Sequence, residues 1–372
     1  MKTGKIDIVR ALVAVALAAC LGACQPAPTD TGDASSSQTG AGAAQAPDAA
    51  QALVDRLDLD RYKSNVENLA GFGTRYWNTE GNERARDWIA EQLASYGYEV
   101  QRQAFTASGR RGSMEPKEIE NIYVTKVGTV NPDRMYIISA HMDSYNSESE
   151  DQSFAPGAND DGSGTALVIE MARVFASADI ATDVSVRFAL WNAEEIGLVG
   201  ARNYVETRRE LQGIEDPAGS GNYPEPTWLG VIQHDMMMFD HGMPDDETGE
   251  LAAEQIPAAD VDIEYDADAT AEGGAIELAA TLLMANARYA AYPAEVGQFM
   301  QSTDSVPFSE FVPAVSLREN ERRNEIGRGG DPQWHKNSDV YATYADADFR
   351  LGFAALQTTT AAIAGLASAR IR

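Results

Sequence analysis

The apolar runs of this chain stop on acids and imidazoles. "MYIISA" (Met135–Ala140) leads into His141-Met142-Asp143, "VRFALWNA" (Val186–Ala193) into Glu194-Glu195, and "LGVIQ" (Leu229–Gln233) into His234-Asp235. Near-continuous apolar runs of this length read as strands covered on both faces. Between them lie stretches with helical spacing. "EGNERARDWIAEQLASYGYEV" sets Ala85, Trp88, Ile89, Leu93 and Tyr96 on one face, with Gly97 as its stop. "GTALVIEMARVFAS", "GLVGARNYVETRREL", "GAIELAATLLMANARYA" and the C-terminal "FRLGFAALQTTTAAIAGLAS" read as further helices, and "EVQRQAF", "NIYVTKVG" and "FVPAVSLRE" as further strands. The alternation predicts an α/β fold: a three-layer α/β/α domain with a mostly parallel central sheet, its early strands adding antiparallel edge pairs. In such a sheet the functional crevice lies outside the carboxyl ends of the strands. The polar strand ends are therefore expected to meet on one edge.

The first fifty residues follow other rules. Lys2, Lys5 and Arg10 precede a short apolar run, Ala11–Ala19, too short for a membrane-spanning helix. Small-residue sequences then precede cysteine twice, in "LAAC" (Leu17–Cys20) and "LGAC" (Leu21–Cys24), and both resemble a bacterial lipobox. The expected reading is a lipoprotein-type signal peptide over 1–24, with a lipid anchor at Cys24; an ordinary cleaved signal is the alternative. Residues 25–50, rich in Ala, Ser, Thr, Gly, Pro and Gln, are read as a flexible tether. Residues 51–372 then form a single domain. The expected location is the bacterial cell envelope, on the outer-membrane or periplasmic side, or outside the cell. Cys20 and Cys24 are the only two cysteines, which leaves the mature chain no intrachain disulfide and no cysteine-ligated metal. A net charge of −28 argues against a nucleic-acid partner. Acidic runs such as "SESEDQ" (Ser147–Gln152) and "MPDDETGE" (Met243–Glu250) read as solvated surface.

A Gly-rich loop, "APGANDDGSG" (Ala155–Gly164), carries Asp160 and Asp161 just before a helix, and "QWHKNSD" carries His335 beyond the strand near Val315. One sheet edge would thus gather imidazoles and carboxylates from several segments. Like charges at that density repel unless a cation neutralises them. Nitrogen and carboxylate oxygen without sulfur suit zinc, with manganese or cobalt as substitutes. There are too many carboxylates for one tetrahedral ion, and two metals sharing a carboxylate account for them better. His234 and His241 are read as non-ligands, and "MMMF" (Met236–Phe239) as packing.

Five motifs in order, "SAHMDS", "PGANDDGSGTA", "WNAEEIGLVGA", "QHDMM" and "HKNSDV", resemble those of the di-zinc aminopeptidase family (metallopeptidase family 28), which includes bacterial leucyl aminopeptidases, glutamate carboxypeptidase-like enzymes and glutaminyl cyclases. The resemblance implies two Zn2+ per chain: His141 and Asp235 on one, Glu195 and His335 on the other, and Asp160 bridging. It implies that Asp143 orients His141, that a cis peptide follows Asp160, and that Glu194 is the general base. The implied reaction is release of N-terminal residues from peptides by a metal-activated bridging water. A dipeptidase, a carboxypeptidase or a glutaminyl cyclase on the same scaffold is the alternative, and a non-catalytic peptide- or metal-binding envelope lipoprotein the alternative of another class. The chain departs from the pattern at "STDSVPFSEF" (Ser302–Phe311), where Ser305 replaces a common histidine although Asp304 is kept. Arg318, Arg322, Arg323 and Arg328 either read a substrate carboxylate or pair with nearby acids, and pairing is the favoured reading. The segment from Gln212 to Pro226 is expected to be a loop insertion that shapes the rim of the site.

Overall fold

The computed structural model describes residues 48–239, 261–319 and 331–372. In chain order these give α1 (Ala49–Val54), α2 (Leu59–Gly71), α3 (Glu80–Ser95), β1 (Gln101–Ala107), β2 (Lys117–Lys126) and β3 (Asn131–His141). There follow α4 (Gly162–Phe175), β4 (Ile180–Ala181), β5 (Val184–Trp191), α5 (Val199–Arg208), β6 (Thr227–His234) and β7 (Val261–Glu264). The last elements are α6 (Glu272–Tyr289), β8 (Ala294–Gly297), β9 (Ala314–Glu319), α7 (Asp346–Leu366) and β10 (Arg370–Ile371). Residues 49–372 form one compact unit.

Eight strands make one sheet in the order β1-β2-β5-β3-β6-β9-β7-β8. Its centre, β5-β3-β6-β9, is parallel. β1 and β2 add antiparallel pairs at one side, as the early strands suggested, and β7 joins β9 antiparallel at the other. β5 is buried along its whole length. Period-two alternation sorts its side chains: Val186, Phe188 and Leu190 enter the core beneath α4, α6 and α7, while Ala189 and Trp191 pack with Tyr204 of α5, Trp228 and Phe308. The fold is the predicted mixed α/β layering.

α4 is buried at every position except Arg173. A helix apolar on all sides belongs inside, and this one lies between the sheet and α2 and α7. It begins at Asp161, whose carboxylate accepts the Gly164 N–H at 2.9 Å. The order of elements therefore fixes the Asp160–Asp161 pair against the sheet edge.

Several elements exceed the sequence reading. The described helix α1 starts at Ala49, inside the segment 25–50 read as a tether, and α2, unmarked in the sequence reading, buries Tyr62, Val66 and Leu69 behind its cap Asp58. β7 and β8 are four-residue strands without a periodic signal. The Gln212–Pro226 segment is indeed a loop, but it does not shape the site's rim. It runs into the start of β6, at the end of that strand opposite His234. There Arg187 donates to Glu225 at 2.7 Å and to the Pro224 carbonyl at 3.0 Å, and Trp228 Nε1 donates to Glu225. The buried ion pair pins the loop to the sheet and leaves it no access to the other edge.

α5 sits close to the strand end that carries the paired glutamates. A Cβ on Gly200 would lie 2.4 Å from both the Asn121 Oδ1 and the Asn192 carbonyl oxygen. Gly200→Ala is therefore expected to lose about 1–3 kcal/mol of stability through overpacking, read by urea denaturation.

Candidate metal centre

Parallel strands bring their carboxyl ends to one edge, and the register is tight. His141 of β3 lies beside Trp191 of β5, and His234 of β6 beside Leu317 of β9. The residues just beyond these pairs gather there. His141 Nε2 lies 3.2 Å from Asp160 Oδ1 and 3.9 Å from Asp235 Oδ1. His335 Nε2 lies 3.1 Å from Asp160 Oδ2 and 3.0 Å from Glu195 Oε2. Asp160 thus offers one oxygen to each imidazole, and each imidazole has a further carboxylate beside it. Donor atoms of His141, Asp160 and Glu195 fall within 4.8 Å of one another.

The donor set fits a cation. His141 Nδ1 lies 3.2 Å from the Asp143 carbonyl oxygen, an acceptor only, so Nδ1 carries the proton of the neutral ring. Nε2 then turns its lone pair to a carboxylate oxygen, an arrangement that needs a proton or a metal ion between them. Glu195 Oε1 and both oxygens of Asp304 are buried without a hydrogen-bond partner among the described residues. Buried acceptors of this kind are costly unless a cation takes them up.

Around these groups the backbone is held firmly. Asp143 accepts the Glu194 N–H at 3.0 Å and the Glu195 N–H at 3.3 Å, while its Oδ1 stands 3.7 Å from His141 Nδ1. Its carboxylate therefore anchors the two glutamates as much as it faces the imidazole. Asp339 accepts the N–H groups of Asn159 and Asp160 at 2.7 and 3.1 Å. Asp161 accepts the His141 N–H at 3.1 Å, and the Asp160–Asp161 peptide is cis. Ala193, Met236 and His335 all take left-handed φ, of 60°, 58° and 58°. These flank Glu194, follow Asp235 or are the candidate ligand itself. Non-glycine residues in that region cost about 1–2 kcal/mol each, a strain that gathers at functional sites.

Arg318 pairs with an acid, as favoured from the sequence: Nη1 lies 3.1 Å from Asp235 Oδ2. Arg322, Arg323, Arg328, His241, the Met243–Glu250 run, Cys20 and Cys24 lie outside the described residues. His234, as read, stands apart from the cluster; its Nδ1 faces the Ser139 carbonyl at 3.1 Å and its Nε2 the Thr359 hydroxyl at 2.8 Å. Met236–Phe239 is buried packing. Asp339 and Arg75 were missed as structural partners. Asp339 lay in view as the last acid of "HKNSDV", whereas Arg75 sits in "FGTRYW" with no pattern to mark it.

Charge crowding sets the protonation states. Burial first, then Glu195, Asp304 and Asp235, push Glu194 well above the ordinary carboxylate range, against the pull of His141. Burial and Asp160 raise Glu195 to about 7, against His335. His335 is raised to about 10, because Glu195 and Asp160 outweigh the burial that lowers it. Asp160 is held below the carboxylate range, with the two histidines overcoming burial. Protons balance these charges where a divalent ion could.

Comparison with known proteins gives the family and the shared fold. The chain matches the Peptidase family M28 model over residues 121–358, and it belongs to that family. It is 37% identical over 187 residues to a probable zinc metalloprotease of Pyricularia oryzae, a match covering 45% of this chain and 36% of that protein. The chain thus spans little more than a third of that relative. The fold is shared with the LapA aminopeptidase of Legionella pneumophila at TM-score 0.62 and 18% identity, over 91% of this chain and 77% of that one. It is shared with an aminopeptidase from Aneurinibacillus sp. strain AM-1 at TM-score 0.61 and 15% identity, over 87% and 97%. It is likewise shared with the glutaminyl cyclase of Porphyromonas gingivalis at TM-score 0.58 and 18% identity, over 84% and 99%.

His234 supplies a pH test. Burial holds its pKa down to about 4, against the Ser139 carbonyl, below an unfolded value near 6.5. Between these values the unfolded chain binds the extra proton, so the contribution is complete above about 6.5 and is lost as pH falls toward 4. The loss should approach about 3 kcal/mol at pH 4. Denaturation of wild type and His234→Gln at a series of pH values should show this part of the slope in wild type alone.

Proposed function

We propose that the chain is a zinc-dependent exopeptidase, specifically an aminopeptidase. The observation that carries the reading is Asp160, which presents its two oxygens at 3.2 and 3.1 Å to imidazoles from two distant segments, with Asp235 and Glu195 beside them. His141 and Asp235 would hold one zinc, His335 and Glu195 the other, and Asp160 both. Bound zinc supplies Lewis-acid polarisation of the scissile carbonyl and a water acidic enough to act as nucleophile at neutral pH.

Glu194 is the proton carrier of this proposal. It is only partly buried and follows the left-handed Ala193, and Asp143 holds its backbone N–H. A partly exposed carboxylate held by its backbone beside the site can accept a proton from water and pass it to the leaving amine. Glu195, on the same anchored turn but facing His335, stays with the metal. Asp143 sets the path of both glutamates and backs His141. The substrates would be peptides with a free N-terminus, whose ammonium group finds carboxylates at this edge. The lipobox before Cys24 supports an envelope-anchored protein as part of the same proposal.

Two substitutions separate the roles. Glu194→Gln should lower kcat by about 10²–10⁴-fold on aminoacyl anilides while bound zinc, measured by atomic emission, stays at the wild-type level. Unchanged hydrolysis in that variant would sink the mechanism and favour a binding protein that only carries the site. Glu195→Gln should instead lower zinc content and lose activity with it, and added zinc should restore part of the rate. Turnover of N-terminal glutamine peptides to the cyclised product, without anilide hydrolysis, would move the assignment to a glutaminyl cyclase.

A further inference from the structure

Arg75 lies between α2 and α3, fully buried beneath the metal-site edge. Four of its hydrogen bonds go to backbone carbonyls and none of these to a carboxylate. Nε donates to Met142 O at 2.9 Å, Nη1 to Leu69 O at 3.1 Å and to Pro156 O, and Nη2 to Gly157 O at 2.8 Å. The acceptors belong to the end of α2, the turn after β3, and the loop that carries Asp160. Further bonds close the arrangement. Ser144 Oγ accepts the Arg75 N–H at 3.0 Å and donates to Ala155 O at 2.6 Å, and Asn82 donates to Arg75 O at 2.8 Å. There is no slack: a Cβ on Gly157 would meet Asp160 O at 2.3 Å and Arg75 Nη2 at 3.1 Å.

A buried guanidinium is an expensive way to satisfy carbonyls unless its charge is also used. Burial pulls its pKa down, but Asp339, Asp161, Asp143 and Asp160 act against that, so the cation sits in the field of the site's acids. Its planar fork reaches three backbone segments at fixed angles, which a point-like ammonium does not.

We propose that Arg75 is a positioning residue for the metal centre: it locks the loop bearing Asp160 to the strand end bearing His141, so that both present donors to one metal ion. It touches neither metal nor substrate, and it acts through the backbone on both sides of the shared carboxylate. The inference rests on the zinc reading of the site, and it adds a determinant of metal affinity outside the ligand set.

The test compares wild type, Arg75→Lys and Arg75→Met. Zinc affinity is measured by competition with a chromophoric chelator, and the melting temperature of each metal-free protein is followed separately. Arg75→Lys keeps the charge without the fork and should bind zinc about 10- to 100-fold more weakly, the usual effect of losing a group that orients ligands. Arg75→Met should be at least as weak. A variant with a lower metal-free melting temperature but wild-type zinc affinity would show a purely structural arginine and overturn the proposal. If Arg75→Met does not fold, Arg75→Lys decides on the same terms. If neither folds, Ser144→Ala decides: it cuts one of the same cross-links with the guanidinium in place, and unchanged affinity overturns the proposal while a several-fold loss supports it. Failure of wild type to bind zinc would instead overturn the reading of the site.

Discussion

The shared carboxylate of Asp160 is the constraint on which the rest of this edge depends. Its two oxygens face two imidazoles, and the surrounding acids, Asp143, Asp161, Glu194, Glu195, Asp235 and Asp304, would repel one another at this spacing in a low-dielectric interior. Such a cluster is stable only when protons or cations offset its charge. Arg318 supplies one at Asp235, and Arg75 supplies another from below. The remaining negative charge is balanced by protons, and a divalent metal at Asp160 would take their place.

The scaffold meets this demand mainly with backbone. Asp143 holds two consecutive amides, Asp339 holds two more, and Asp161 both caps α4 and accepts the His141 N–H. Each of these carboxylates is aimed by hydrogen bonds from the main chain, which shifts less than a side chain does. Left-handed turns at Ala193 and Met236 then let adjacent residues diverge, so a single strand end can serve two purposes. The stability given up at those turns is recovered in the packed layers beneath, where α4 and β5 are almost wholly buried.

Much of this was legible in the sequence because it rests on local patterns. Apolar runs ending in His141, Glu194 and His234 marked strands and their functional ends, and helical spacing marked α3, α4, α5, α6 and α7. The five site segments were named from their order and residue types, and they do meet. What escaped were features with no local signature. β7 and β8 are too short to show a period. The Gln212–Pro226 loop looked like a rim element because its composition is that of a loop, yet only the direction of β6 says which edge it occupies.

Residue identity and spacing by themselves determined the chemistry on offer: nitrogen and oxygen donors, a strongly acidic chain, and a parallel sheet whose strands end in imidazoles and carboxylates. Tertiary structure alone decided how the like-looking acids differ. Glu194 and Glu195 are neighbours in the chain, but only the turn anchored on Asp143 sends Glu195 to His335 and leaves Glu194 partly exposed. Arg318 and Arg75 are both arginines near the site, and only packing gives one a carboxylate and the other a set of carbonyls. The physical reason is that charge and hydrogen-bonding capacity belong to the residue, whereas partners, burial and hence proton affinity belong to the place where the chain puts it.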